Sequence, residues 1–178
     1  MQEGKSSFSF TNLYARMRIA AGEKSKLAEF GLRRAQGPCG GIFASRYAVM
    51  GGFHSSSNVL ASSLFNLNCI GTMAHSYVTA FSDLDEVKDF EINGKNVLSL
   101  TLKWRKQLGY EHTNDSELAS FITFAWTFPH KTVLLVDTYN TVKSGVPNFC
   151  CVALALSECG YKIVGLRLDS GDLAELSK

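Results

Sequence analysis

The residues best suited to chemistry stand just beyond short apolar runs: Arg33-Arg34 after LAEFGL, Thr72 and His75 after NCIG, Asp137-Thr138-Tyr139 after KTVLLV, and Arg167, Asp169, Ser170, Gly171 and Asp172 after KIVGL. Arginines offer forked donors that match phosphate or carboxylate. Asp169 is suited to accept from sugar hydroxyls, and the Ser-Gly-Asp turn opens a helix whose free N–H groups favour an anion. In α/β folds, ligands collect beyond the carboxyl ends of parallel strands, where loops and helix N-termini converge. The opposite ends of these runs carry ordinary solubilising residues such as Lys131, Lys162 and Asn68. A site for a phosphorylated sugar is the expectation.

Each member also has a plain structural role open to it. A lone histidine often only satisfies backbone partners; Arg33 and Arg34 can be solvated or ion-paired; Asp137 can cap a turn; Ser-Gly-Asp is a common helix start. Recurrence at one end of the strands is what argues for a site.

The elements that must hold these groups read as alternating helices and short apolar strands. Phe10, Leu13, Met17 and Ala20 recur at helical spacing before Gly22, a terminator. Val59, Leu60, Leu64 and Leu67 predict one face of a helix behind a serine-rich start suited to capping. Residues 83–96 are acidic and polar, which predicts an exposed connection. Val97, Leu100, Trp104 and Leu108 form a stripe ended by Gly109, and a further helix starts near Asn114–Ser116 and stops before Pro129. KTVLLVD, then a helix opened by Pro147 and closed by Gly160, then YKIVGLRLD, make a β-α-β unit. Near-continuous apolar strands alternating with helices predict a parallel sheet covered by helices, open or closed into a barrel.

Bulk properties narrow the function. The chain has 178 residues, 46% apolar and 19% charged, with a net charge of +2. That length fits one domain with a sizeable core, and the composition excludes wholesale disorder. The densest basic groups, LRRAQG and KWRK, are short and interrupted by apolar residues, so no nucleic-acid partner is expected. The longest apolar stretch, CCVALAL, is too short to span a membrane, and the N-terminus is too polar for a signal peptide. Cysteines 39, 69, 150, 151 and 159 contain no C-x-x-C pair, which predicts reduced thiols in the cytosol. Phosphate-binding G-x-x-x-x-G-K-[ST] and G-x-G-x-x-G loops are absent, as is the G-x-S-x-G elbow.

Five stretches, taken in order, resemble nicotinate phosphoribosyltransferases: EFGLRRAQGP (29–38), GGFHSSSNVLA (51–61), GTMAHSYV (71–78), LVDTYNTVKSGVPNF (135–149) and GLRLDSGDL (165–173). The resemblance runs from near residue 10 to the last residue and matches the middle of a family member. It implies a single partial catalytic domain over 1–178, a portion of an irregular α/β barrel of the type II phosphoribosyltransferase kind. An N-terminal domain and later barrel strands would be missing, and the isolated chain is expected to be inactive.

The same resemblance implies transfer of phosphoribose from phosphoribosyl pyrophosphate to nicotinate in a cytosolic homodimer, coupled to ATP and Mg²⁺. His75 would be the phosphorylated histidine and Asp137 the partner that holds its other ring proton. Phe30 would stack on the pyridine ring, Arg33 meet pyrophosphate, Arg167 pair with the nicotinate carboxylate and Asp169 hold ribose hydroxyls. Ser57 would face the base where nicotinamide-using relatives carry an aspartate, which favours the acid over the amide. His54, Cys39 and Asn140 depart from the family's acidic residues and put hydrogen bonding behind the site and metal placement in question. The competing expectations are an inactive piece that serves only in binding or dimerisation, and a nicotinamide-using relative.

Overall fold

The computed structural model describes residues 3–163 and 165–178. They form two compact units, one ending at Gly71 and the other spanning Thr72–Lys178.

The first unit opens with α1 (Glu3–Ala21), stopped at Gly22 by a positive φ of 71°. A short parallel pair follows, β1 (Ala28–Glu29) with β2 (Ser55–Ser56), and α2 (Gly37–Met50) connects them. The expected strand at NCIG is reduced to a single parallel bridge between Ser56 and Cys69. Helix α1 packs where the chain is bare: a β-carbon on Gly51 would stand 2.5 Å from Tyr14 Cβ and 3.0 Å from the Ala15 nitrogen. The stripe Phe10, Leu13 and Met17 consequently stays about half exposed.

Helix α3 (Val59–Phe65) departs from the sequence reading in two ways. Its cap is Asn58, whose side chain accepts from the Ala61 N–H at 3.1 Å, and the preceding serines Ser55 and Ser56 are strand. Its buried residues are Ala61 and Ser62, while Val59, Leu60 and Leu64 are exposed. The cause is polar. Asn58 Nδ2 reaches the Gly41 carbonyl (3.3 Å) and Ser45 Oγ (3.2 Å) on α2, and this tether turns the small-residue face inward.

The second unit holds the larger core. Around α6 (Asp115–Thr127), whose Leu118, Phe121 and Ile122 are fully buried, pack α5 (Val97–Leu108), α7 (Val146–Glu158) and β5 (Val133–Leu135). Strand β5 pairs in parallel with β6 (Gly165–Arg167), so the expected β-α-β unit is present. The region read as an exposed connection contains a hairpin, β3 (Glu91–Ile92) with β4 (Lys95–Asn96), and Ile92 is buried. Asn93 (φ 52°) and Gly94 (φ 72°) both adopt the left-handed turn conformation that such two-residue loops demand. Asn93 Nδ2 and the Lys95 ammonium then donate to the Cys159 and Glu158 carbonyls at the end of α7.

The strands thus form small separate ladders, mixed with helices and parallel in β1–β2 and β5–β6. No helix among the described residues is long and apolar enough to cross a membrane.

Candidate active site

In the second unit, His75 opens the short helix α4 (His75–Val78), after the extended Ala74. Asp137 lies two residues past β5, and Arg167 and Asp169 lie at the end of β6 and beyond it. Parallel pairing of Leu135 with Arg167 brings these ends side by side. Asp137 Oδ1 sits 3.0 Å from His75 Nε2, and the Asp137 side chain is only 2% exposed against 40% for the imidazole.

The other Asp137 oxygen is saturated. Oδ2 accepts from the Asp169 N–H (2.7 Å), the Ser170 N–H (2.5 Å) and the Ser170 hydroxyl (2.7 Å). Burial acts to raise the carboxyl, but the hydrogen bonds from Ser170, Asp169 and His75 outweigh it and hold Asp137 below its usual value. The N–H groups at residues 169 and 170, ahead of the helix expected to favour an anion, serve the chain's own carboxylate. Helix α8 (Leu173–Leu176) is a single turn capped by Asp172, which accepts from the Glu175 N–H at 3.1 Å.

Across the imidazole, Asp169 Oδ2 stands 3.9 Å from His75 Nδ1. Asp169 Oδ1 is drawn the other way by Arg167 at 2.7 Å. Arg167 also donates to Thr72 Oγ1 (2.6 Å) and the Met73 carbonyl (3.1 Å), so it braces the loop that delivers His75. Its guanidinium would meet a nicotinate carboxylate by sharing nitrogens already engaged within the chain.

In the first unit, the ends of β1 and β2 carry Phe30 and Ser57, and the Ser57 N–H donates to the Glu29 carbonyl at 2.9 Å. Arg33 follows in the exposed 3₁₀ turn Leu32–Arg34. Behind them is the buried Glu29 carboxylate, which accepts from Ser45 Oγ (2.8 Å), Ser56 Oγ (2.7 Å) and the Gly31 N–H. The structure thus gathers His75, Asp137, Arg167 and Asp169 in one unit and Phe30, Arg33 and Ser57 in the other.

Two departures from the family pattern have visible uses. His54 Nδ1 accepts from the Leu27 N–H at 3.1 Å, and Asn140 Oδ1 accepts from the Lys143 N–H at 2.8 Å to start the turn Thr141–Gly145. Cys39 is exposed and unpaired. Three residues given no role from the sequence matter here: Ser170, Glu29 and the fully buried Glu117, which accepts from Ser144 Oγ (2.6 Å) and Asn148 Nδ2 (3.1 Å). For Ser170, adjacency to Asp169 in Ser-Gly-Asp was a usable signal; for the two glutamates the sequence gives none.

No family model matches the sequence. The chain is 54% identical to a nicotinate phosphoribosyltransferase of Dictyostelium discoideum over 169 residues, covering 92% of this chain and 29% of that one. It is 45% identical to the human nicotinate phosphoribosyltransferase over 174 residues, covering 90% and 32%. A crystal structure of human nicotinic acid phosphoribosyltransferase matches the backbone with a TM-score of 0.83 at 42% identity, over 92% of this chain and 35% of that one. The chain spans about a third of the length of the curated relatives it matches. Over that span, both sequence and backbone are similar to nicotinate phosphoribosyltransferases.

Proposed function

We propose that this chain supplies the phosphoryl-accepting and substrate-holding part of a nicotinate phosphoribosyltransferase, which joins nicotinate to phosphoribosyl pyrophosphate at the expense of ATP. The observation that carries the reading is the 3.0 Å contact between Asp137 Oδ1 and His75 Nε2. An ionised carboxylate accepts and does not donate, so the ring proton resides on Nε2 and the lone pair on Nδ1. Nδ1 attacks the γ-phosphorus of ATP, a P–N bond forms, the bond to the β-phosphate oxygen breaks and ADP departs. Asp137 keeps the Nε2 proton and stabilises the positive charge that develops on the ring.

Glycosyl transfer then breaks the bond between ribose C1 and pyrophosphate and forms the bond from C1 to the pyridine nitrogen. Asp169, at 36% side-chain exposure, is suited to hold ribose hydroxyls, and Arg33 to stabilise departing pyrophosphate. Phe30, 37% exposed, offers a ring face for stacking on nicotinate. Ser57 can donate to a carboxylate, which supports the acid over the amide.

Asp169, the partly exposed carboxylate beside His75, would be the residue to help hold a Mg²⁺, which would neutralise charge on the polyphosphates. Parallel pairing within β1–β2 and within β5–β6 suits strands of an irregular α/β barrel, and the family resemblance favours a homodimer. Five unpaired cysteines suit a reducing, cytosolic compartment.

Incubation of the complete enzyme that contains this segment with ATP labelled in the γ-phosphate tests the reading. An acid-labile, alkali-stable label is expected on His75 and should vanish in His75→Ala; a label that persists in that variant rejects the assignment.

A further inference from the structure

Two carboxylates compete for one imidazole. Asp137 approaches Nε2 at 3.0 Å and Asp169 approaches Nδ1 at 3.9 Å. Whichever carboxylate is better placed takes the ring N–H and leaves the opposite nitrogen as the nucleophile. The choice is therefore set by what fixes each carboxylate.

Asp169 is held back by Arg167, which binds its Oδ1 at 2.7 Å. Asp137 is held forward by the turn at 169–170. Its Oδ2 takes three donors while Oδ1 is left for His75, so the carboxylate cannot exchange its oxygens without breaking all three bonds. Two of those donors are backbone N–H groups that every residue type retains. The third, the Ser170 hydroxyl, is the only one a side chain supplies. Gly171, with φ 77°, then turns the chain away into the Asp172 cap. Ser170 is itself exposed, so no core packing depends on its side chain.

We infer that Ser170 is a positioning residue: by anchoring Asp137 Oδ2 it keeps Oδ1 on His75 Nε2 and thereby selects Nδ1 as the nitrogen presented to an electrophile. The inference deepens the phosphoryl-transfer reading and rests on it only for the use made of Nδ1; the tautomer is a property of the chain by itself. Loss of the hydroxyl loosens Asp137 and lets Asp169 claim Nδ1–H. A threonine keeps the donor.

The test is the tautomer of His75 in the ¹⁵N-histidine-labelled 178-residue chain, read from two-bond proton–nitrogen correlations at about pH 8, above the usual imidazole titration. The unsubstituted chain should show Nε2–H with Nδ1 bare. Ser170→Ala should raise the Nδ1–H form several-fold, Ser170→Thr should restore the original pattern, and Asp169→Asn added to Ser170→Ala should suppress the Nδ1–H form by removing the competing carboxylate. A spectrum of Ser170→Ala identical to the unsubstituted one, or Nδ1–H already dominant before substitution, overturns the inference. The backbone amide spectrum reports folding in each variant, and if Ser170→Ala fails to fold, Ser170→Cys tests the same loss of a strong donor. A tautomer response in this chain without ATP labelling of the complete enzyme rejects the phosphotransfer reading and leaves Ser170's role standing; labelling of the complete enzyme without a tautomer response does the reverse.

Discussion

The Gly145 α-carbon lies directly beneath the Val136 carbonyl, so that a β-carbon on Gly145 would overlap the carbonyl oxygen and stand 2.7 Å from its carbon. Val136 is the residue before Asp137, and its N–H donates to the Arg167 carbonyl at 3.2 Å. The backbone that presents the carboxylate to His75 is therefore wedged between β6 and the turn Thr141–Gly145.

Gly145→Ala should destabilise the chain by about 3 kcal/mol or more, because the overlap is with backbone and no rotamer relieves it. Urea denaturation followed by circular dichroism reads the loss. A midpoint unchanged from the unsubstituted chain would mean that the turn and β5 are not packed this way.

Glu117 anchors the same turn from behind through Ser144 and Asn148, while its Oε1 has no hydrogen-bond partner among the described residues. Burial drives its carboxyl above the usual value, against the lowering effect of the Ser144 and Asn148 bonds. Between the ordinary glutamate value of about 4.3 and the raised one, the fold keeps a proton that the unfolded chain has lost. Stability from this group is complete at lower pH and falls as pH rises through the window. Glu117→Gln mimics the neutral acid, so it should flatten that decline at a cost below ~1 kcal/mol, whereas Glu117→Ala empties buried space, removes the acceptor of the Ser144 hydroxyl and one acceptor of Asn148 Nδ2, and should cost about 2–4 kcal/mol. Denaturant midpoints from pH 4 to 8 distinguish the three chains.

How far the sequence could be read depended on whether the signal was local. Asp137 and Asp169 were legible because a buried apolar run ends just before each, and a parallel pair places such ends together. The hairpin at 91–96 was missed although Asn93-Gly94 is a strong turn signal, because the acidic residues around it dominate the composition. The apolar face assigned to α3 failed for a different reason. Its orientation is set by hydrogen bonds from Asn58 to α2, a contact between residues 13 to 17 positions apart that periodicity does not encode. Ser170 was legible as a polar residue beside Asp169, but its partner Asp137, 33 residues earlier, is a contact that this adjacency does not name.

The five cysteines should separate by reactivity. Cys39 and Cys69 are exposed, whereas Cys151 and Cys159 are buried. Burial pushes the Cys151 thiol up to about 11 and raises Cys150 and Cys159 as well. Since the thiolate is the nucleophile, iodoacetamide at about pH 8 should modify Cys39 and Cys69 first and leave Cys151 untouched until the chain is unfolded. Peptide mass mapping against time gives the order; early labelling of Cys151 would contradict the packing of α7.

Asp137→Asn separates the charge of the residue from its shape. Since hydrogen bonds hold the Asp137 carboxyl below its usual range, the unfolded chain binds a proton there before the fold does as pH falls. The stability Asp137 contributes is complete above about pH 4 and is lost as pH drops through the depressed value, so the variant should lose this part of the acid limb while remaining folded at neutral pH. Its effect on the imidazole is qualitative. With the asparagine oxygen kept by the donors at residues 169 and 170, the amide NH₂ faces His75 Nε2 and donates to it. The ring proton must then move to Nδ1, the nitrogen proposed to attack phosphorus. Asp137→Asn should therefore reduce ATP-dependent labelling of His75 by roughly 10³–10⁴, as expected when the wrong tautomer is enforced in an otherwise intact site. Undiminished labelling in a folded Asp137→Asn chain would show that Nδ1 is not the nucleophile.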